Sequence, residues 1–341
     1  MKLAIIGPSF FGYLEDISDR LNARGLQTRF FDERKSNSVI GKLFARFSPV
    51  AVKQGQLAAH VDTIIDTILL SDTTHVLLVS VEVVTKQQIS RLKKAGLTLC
   101  RYGWDSVRNK PKMYALDSLM DHIASFDPED CATHGYIPIH LFSAPKGLSP
   151  APPKTEDFFY CTTLHSNRPQ LVMRLKKAIA ANGFSDRMFL FYHSRLLWAL
   201  RYAYQPTVWP LLREVSTEPF SLTAIAAATH GARVVIDIHH GAQSGLTMRT
   251  FEALSLDAIL LTTNRAALSE LPTNLAARVV LLDPENLDDC LRAAVTRATD
   301  PKLVSLTDKD RYALSIDRFL DQITALLKGD SVPEAFKKFN I

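Results

Sequence analysis

Cysteine is scarce: the 341 residues hold four, Cys100, Cys131, Cys161 and Cys290, each far from the others. That spacing excludes a disulfide framework and the paired ligands of a structural zinc site, so reduced structural thiols are expected. Long hydrophobic runs are lacking too. No stretch reaches the ~20 uninterrupted apolar residues of a membrane-spanning helix, and residues 1–6 lead straight into a strand-like segment with no signal-peptide pattern. A cytoplasmic location is the expectation. Nor is there an excess of one charge. The 40 Lys and Arg against 35 Asp and Glu leave +5, too little for a nucleic-acid stripe but compatible with anionic substrates or lipid headgroups. No nucleic-acid partner is expected.

What is present suits packed cores. The hydrophobic fraction is 47% and the charged fraction 22%, far from a disordered profile. At 341 residues the chain exceeds the usual single-core size, which predicts two domains. Short apolar runs at residues 2–6, 28–31, 75–80 and 97–102 alternate with helical patterns, and shorter elements follow at 123–126 and 136–142. Buried strands alternating with helices imply a parallel sheet covered on both faces. Residues 143–154 then collect four prolines and a glycine, the best linker candidate in the sequence. Beyond it the alternation restarts, with strands expected at 158–162, 187–192, 234–238, 258–262 and 278–282, a helix at 169–181 and a long one at 308–327. The expected organisation is an N-terminal Rossmann-like domain over 1–150, a second over 151–330 and a tail over 331–341. Two such sheets facing across a cleft would place a ligand there.

Residues 237–264 concentrate the polar chemistry. They read as a strand end, the loop Gly241-Ala-Gln-Ser-Gly245, a helix from Leu246 and Thr247 onward, and a second strand ending at Asn264. Glycines permit a tight turn, and a helix start presents N–H groups and a positive dipole end, which together suit phosphate. Arg249 and Glu252 are three apart and share one helical face, while Met248, Phe251 and Leu254 form an apolar stripe. Arg249 is placed to fork onto a diphosphate and Glu252 to accept both hydroxyls of a ribose. The alternative is a plain intrahelical ion pair on a solvated face.

The stretch Asp237-Ile-His-His-Gly-Ala-Gln-Ser-Gly-Leu-Thr-Met-Arg-Thr-Phe-Glu-Ala-Leu254, with Leu261-Thr-Thr-Asn264, closely resembles bacterial polysaccharide-biosynthesis glycosyltransferases of the CgeB-like group. Tyr102-Gly-Trp-Asp-Ser106 and Ser125-Phe-Asp-Pro-Glu-Asp130 resemble the same group. The resemblance implies an α/β protein of GT-B fold, a nucleotide-sugar donor held by the C-terminal half and a glycan or lipid-linked acceptor held by the N-terminal half. It implies no metal and no other cofactor. Within that frame Asp237, Gln243, Ser244, Gly245, Leu246, Thr247, Arg249, Glu252 and Asn264 are the donor-site candidates. Asn167 and Arg168, where the first strand of the second domain passes into a helix, fit the usual place for donor phosphates. Retaining GT-B enzymes often carry two glutamates eight positions apart at this helix. Here Ser244 stands at the first position, and Gln243 or Ser244 is left to replace that contact, so the stereochemical outcome stays open.

Further candidates carry two readings each. His239 and His240 follow a strand and point to opposite sides, so at most one faces a ligand, as a hydrogen bond to phosphate or leaving group or as a structural imidazole. Asp105, just past the strand at 97–102, is the candidate general base or else a turn cap, and Asp237 is equally ambiguous. Gly7-Pro8-Ser9 occupies the matching turn of the first domain, on the acceptor side, and lacks the full dinucleotide glycine fingerprint. Residues 41–53 and 195–204 mix apolar, aromatic and basic side chains as an interfacial segment on the inner membrane would, or as core with snorkelling basic stems. Three functions follow as expectations: sugar transfer in lipopolysaccharide, capsule or exopolysaccharide synthesis, non-catalytic sugar-nucleotide binding, and sugar-nucleotide epimerisation.

Overall fold

A strand covered on both faces needs apolar residues at successive positions, not at every second one. β1 (Lys2–Gly7) is such a strand, buried from its second residue onward. α1 (Tyr13–Ala23) follows and buries Leu14, Ile17 and Leu21 along one stripe. Next come β2 (Gln27–Asp32), α2 (Val50–Leu69), β3 (His75–Val79), α3 (Lys86–Lys94), β4 (Thr98–Gly103), β5 (His122–Ser125), α4 (Pro128–His134) and β6 (Ile137–Pro138). α3 starts at a capping box of Thr85 and Gln88. α4 starts at the Asp127 cap with Pro128 in its first turn, and ends on Gly135 at φ 71°, a left-handed conformation that favours glycine. The six strands run parallel in the order β2-β1-β3-β4-β5-β6. Its core joins Ile6, Val76 and Leu78 to Val61 and Ile65 of α2 and to Ile89 and Leu92 of α3.

This computed structural model describes residues 1–9, 12–34, 50–144, 153–165, 168–239, 241, 243–334 and 336. The proline-rich stretch at 145–152 and most of the basic-aromatic stretch at 41–53 therefore lie outside the described residues.

The second series is β7 (Glu156–Thr163), α5 (Arg168–Ala181), β8 (Asp186–Phe191), α6 (Arg195–Arg201), a 3-10 turn (Pro206–Arg213), α7 (Leu222–Gly231), β9 (Ala232–Asp237), α8 (Met248–Ser255), β10 (Ile259–Thr262), α9 (Ala266–Ser269), α10 (Thr273–Ala276), β11 (Val279–Leu281), α11 (Leu287–Ala298), α12 (Asp308–Leu314) and α13 (Ile316–Lys328). Its five strands are parallel in the order β11-β10-β9-β7-β8. Phe158, Tyr160, Val234, Ile236 and Leu261 pack there against Val172, Leu175 and Ile179 of α5 and against Trp198 and Leu291.

By contacts the chain forms two units: Met1–Leu141 with Gly241–Gly245 and Phe319–Ala335, and Phe142–His240 with Leu246–Arg318 and Phe336–Ile341. Two expected elements differ. The helix expected over 308–327 is broken at Ser315, which is extended (φ −85°, ψ 161°). Ser143 bridges the break, its N–H donating to the Leu314 carbonyl (2.8 Å) and its carbonyl accepting from Ile316 N–H (2.9 Å), and Ser315 Oγ caps the next helix by accepting from Arg318 N–H (3.3 Å). The element expected over 136–142 shrinks to the two residues of β6. Pro138 lacks an N–H there, which suits an edge strand, and the pairing ends with Ile139 N–H on the carbonyl of Ser125, the last residue of β5 (3.0 Å).

Candidate functional site

In an open parallel sheet, the strand order reverses at one point, and a crevice opens outside the carboxyl ends of the strands there. In the second unit β8 lies on one side of β7 and β9 on the other, so the reversal falls between β7 and β9. Arg168, the first residue of α5, bridges these two strand ends. Its guanidinium donates to Thr162 Oγ1 (2.9 Å) at the end of β7 and to the Ile238 carbonyl (3.3 Å) just past β9.

Asp237 ends β9 and is 7% exposed. Its Oδ2 accepts from Thr247 Oγ1 (2.9 Å) and Thr262 Oγ1 (3.2 Å). Thr247 is the cap of α8, accepting in turn from Thr250 N–H (3.3 Å), and Leu246 beside it is buried. One carboxylate thereby ties the start of α8 to the end of β10. Burial raises the Asp237 pKa above the usual carboxylate value, and the two threonine hydroxyls and the Arg249 charge oppose that rise.

Arg249 and Glu252 form the i,i+3 ion pair, Nη1 to Oε2 2.7 Å, with side chains only 17% and 18% exposed. This is not a solvated face. The Arg249 guanidinium lies over the Phe159 ring at 5.9 Å, and both charges act on Cys161, whose thiol burial pushes up. The pair therefore stands beside β7, and a phosphate or a ribose diol reaching it would exchange with a partner already in place. His239 is oriented by Thr263, whose Oγ1 lies 3.2 Å from its N–H and 2.8 Å from Nδ1. Asn264 turns its Oδ1 to Ala266 N–H (3.0 Å), an Asx turn that opens α9. Asn167 and His240 lie outside the described residues. Cations at the ends of parallel strands, next to a capped helix start, can hold a diphosphate.

The loop Gly241–Gly245 belongs to the first unit. Asp127 holds it: Ser244 N–H (2.7 Å), Ser244 Oγ (2.5 Å) and Gly245 N–H (3.3 Å) all donate to that carboxylate. The same carboxylate caps α4, accepting from Glu129 N–H (3.0 Å) and Asp130 N–H (3.3 Å). A Cβ at Gly245 would stand 2.5 Å from the Phe126 carbonyl oxygen, so the glycine serves a protein contact. Gln243 Nε2 donates to Asp105 Oδ1 (3.2 Å), and Gly241 is exposed. Asp105 also accepts from Asn109 Nδ2 (3.2 Å), faces Lys110 Nζ at 3.5 Å, and takes the Tyr114 hydroxyl on its carbonyl. It is a carboxylate held by three side chains.

At the end of β1 a Cβ on Gly7 would lie 2.6 Å from both Leu14 Cδ1 and the Val79 carbonyl oxygen, a close approach only glycine allows. Past Pro8, Ser9 Oγ donates to Glu15 (2.6 Å) and Ser9 N–H to Asp32 (3.2 Å), so this turn closes on its own unit.

The structure thus groups Arg168, Asp237, His239, Thr247, Arg249, Glu252 and Asn264 at the strand ends of the second unit. It groups Asp105, Gln243, Ser244 and Gly245 in the first. Sequence reasoning passed over Asp127 and the threonine pairs, although Thr162-Thr163 and Thr262-Thr263 repeat at the ends of β7 and β10. That repetition was the available signal. Among the described residues no cluster of His, Cys, Asp or Glu is placed to hold a metal ion, and no helix is long and apolar enough to cross a membrane.

No protein-family model matches the chain, and no curated protein sequence matches it. Solved structures do. UDP-GlcNAc 2-epimerase from Neisseria meningitidis, bound to UDP-GlcNAc, is similar at 10% identity and TM-score 0.60, over 97% of this chain and 100% of that one. UDP-GlcNAc 2-epimerase from Methanocaldococcus jannaschii is similar at 13% identity and TM-score 0.59, over 96% and 100%. MurG from Acinetobacter baumannii is similar at 10% identity and TM-score 0.50, over 96% and 100%. At such identities the likeness concerns the fold, and that fold is GT-B: two parallel α/β sheets, each with its own core.

Proposed function

We propose that the chain binds a nucleoside-diphosphate sugar at the carboxyl ends of β7, β9 and β10 and transfers the sugar to a hydroxyl of a glycan or lipid-linked acceptor, in synthesis of a cell-surface polysaccharide. The observation that carries this is Arg168 at the strand reversal, with the Arg249–Glu252 pair beside the same strand. A diphosphate leaving group gathers negative charge as the bond to the sugar breaks, and fixed cations stabilise that charge most when they need no rearrangement. Arg168 is held by two strand ends and is suited to that task. Arg249 and Glu252 would divide phosphate from ribose, and His239, oriented through Thr263, would donate to a phosphate oxygen. Asp105 is the proposed base for the acceptor hydroxyl. The CgeB-like resemblance of residues 237–264 supports transfer in particular.

A second reading, sugar-nucleotide epimerisation, is favoured by the comparison itself, since structures of UDP-GlcNAc 2-epimerases match across 96–97% of this chain. One experiment separates the two. A panel of nucleotides and sugar nucleotides is screened by thermal shift, because only ligands of the native state raise the midpoint, and the stabilising sugar nucleotide is then incubated with and without acceptor glycans. Transfer predicts a new glycoside only with acceptor. An isomeric sugar nucleotide or free isomerised sugar formed without acceptor makes the chain an epimerase. No shift with any nucleotide, together with unchanged behaviour of Arg168→Ala, would remove the site assignment altogether.

A further inference from the structure

A helix on the surface of a globular unit normally turns its apolar stripe to the core and a polar one to water. α6 and the 3-10 turn after it do not. Trp198, Tyr202, Val208 and Leu211 fill the core of the second unit. The opposite side is apolar as well: Leu196 is 70% exposed, Leu200 65%, Tyr204 97% and Trp209 54%. Leu196 and Leu200 are one helical turn apart and share a stripe. A concavity of about 940 Å³ opens on this segment, lined by Trp209, Ala199, Ala203, Pro206 and Pro210 and also by Arg213 and Glu214. Elsewhere among the described residues, exposed large apolar side chains stand singly, such as Leu70, Leu268 and Val304.

The charges of the segment share one sign. From Arg195 to Arg213 there are three arginines and no acidic residue. Arg195 is engaged with the Val215 carbonyl (3.1 Å), whereas Arg201 and Arg213 are exposed and form no ion pair with a described residue. The nearest acid in sequence, Glu214, is engaged by Lys176 at 2.7 Å. Aromatic and leucine side chains among unneutralised arginines are the composition of a surface that enters the headgroup and acyl boundary of an anionic bilayer.

We propose that the outer face of α6 and of the Pro206–Arg213 turn docks on an anionic lipid bilayer, with Leu196, Leu200, Tyr204 and Trp209 inserted and Arg201 and Arg213 on the headgroups. This does not rest on the proposed sugar transfer. A second copy of the chain is the competing occupant, but two copies of this face would oppose like charges, whereas phosphatidylglycerol neutralises them.

The test is flotation with vesicles of phosphatidylcholine alone and of phosphatidylcholine with phosphatidylglycerol, alongside sedimentation velocity without lipid. Binding to the anionic vesicles is expected, weakening as salt rises. Leu200→Gln with Trp209→Ala should abolish flotation. Arg201→Gln and Arg213→Gln should each weaken it by about five-fold. Circular dichroism on each variant confirms folding, which exposed positions should not disturb. Three outcomes overturn the proposal: no flotation by the folded protein with either vesicle, equal flotation with both vesicles that ignores the arginine variants, or a lipid-free dimer that Leu200→Gln with Trp209→Ala dissociates.

Discussion

The strand ends of the two units differ in how their charges are met and in use. In the first unit they carry carboxylates, Asp105 and Asp127, whose oxygens are taken up by amides, hydroxyls and a lysine of the protein. In the second they carry Arg168, held by neutral oxygens of Thr162 and Ile238, and His239, together with the Arg249–Glu252 ion pair and the buried Asp237, whose Oδ2 takes two threonine hydroxyls. The same parallel architecture thus builds one end whose acids fasten a loop and another whose Arg168 faces neutral acceptors and keeps its charge for an anion. Charge at a strand end does not by itself mark a binding site; what already satisfies that charge decides it.

The largest effect should come from the fastening acid. Asp127→Ala removes five hydrogen bonds, of whose donors Glu129 N–H keeps a second acceptor in Ser244 Oγ (3.3 Å), and about 3 kcal/mol of stability should go. Urea titration measures it, and below the transition nucleotide affinity should stay within about three-fold of the parent. A ten-fold loss of affinity would erase the distinction between the two ends.

Arg168→Ala should do the reverse. Losing charge-assisted hydrogen bonds to a diphosphate should weaken nucleotide binding by about 10–100-fold in calorimetry. Arg168→Lys should recover only part, since an ammonium does not reproduce the fork that reaches both strand ends. Full affinity in a folded Arg168→Ala variant would place the anion elsewhere.

Gly245→Ala tests the loop from its other side. Its Cβ meets Phe126 backbone at 2.5 Å, and overpacking of this kind costs about 1–3 kcal/mol. The variant should melt earlier while retaining the nucleotide shift of the parent.

The smallest effect concerns Asp237. Its folded pKa is raised, so the folded state holds the proton longer than the unfolded chain, and stability falls as pH rises from the unfolded value until it has passed the folded pKa. Below the unfolded value of about 3.9 the group contributes nothing. Asp237→Asn should therefore raise the melting temperature at pH 7, and the gain should shrink as pH falls toward 4. A gain that grows with acidity would reverse the assignment.

Much of this was legible in the chain. The runs at 2–6, 75–80 and 234–238 are apolar throughout because parallel strands are covered twice, and the structure places β1, β3 and β9 there. The Arg249–Glu252 face followed from helical spacing alone. What was not legible depends on partners distant in sequence. The partners of Gln243 and Ser244 inside the protein, Asp105 and Asp127, the latter 117 positions before Ser244, are brought to them only by the fold. The interruption at Ser315 combines a local signal, its Oγ capping α13 through Arg318 N–H (3.3 Å), with the distant bridge to Ser143 that no local pattern shows. Arg168 was singled out by its place after a strand, but its bridge to the β9 end depends on sheet order, which no local pattern encodes.

The two threonines on Asp237 have one more consequence. Thr247 and Thr262 both point their protons at the same oxygen, Oδ2, while each receives an N–H from its own turn, from Thr250 and Asn264. Two converging hydroxyl dipoles require an oxygen that bears no proton. A proton arriving on Oδ2 would oblige one of them to rotate away, at the first turn of α8 or at the turn after β10, whereas a proton on Oδ1 would leave both in place. Deuterium fractionation at the threonine hydroxyls would tell the two cases apart.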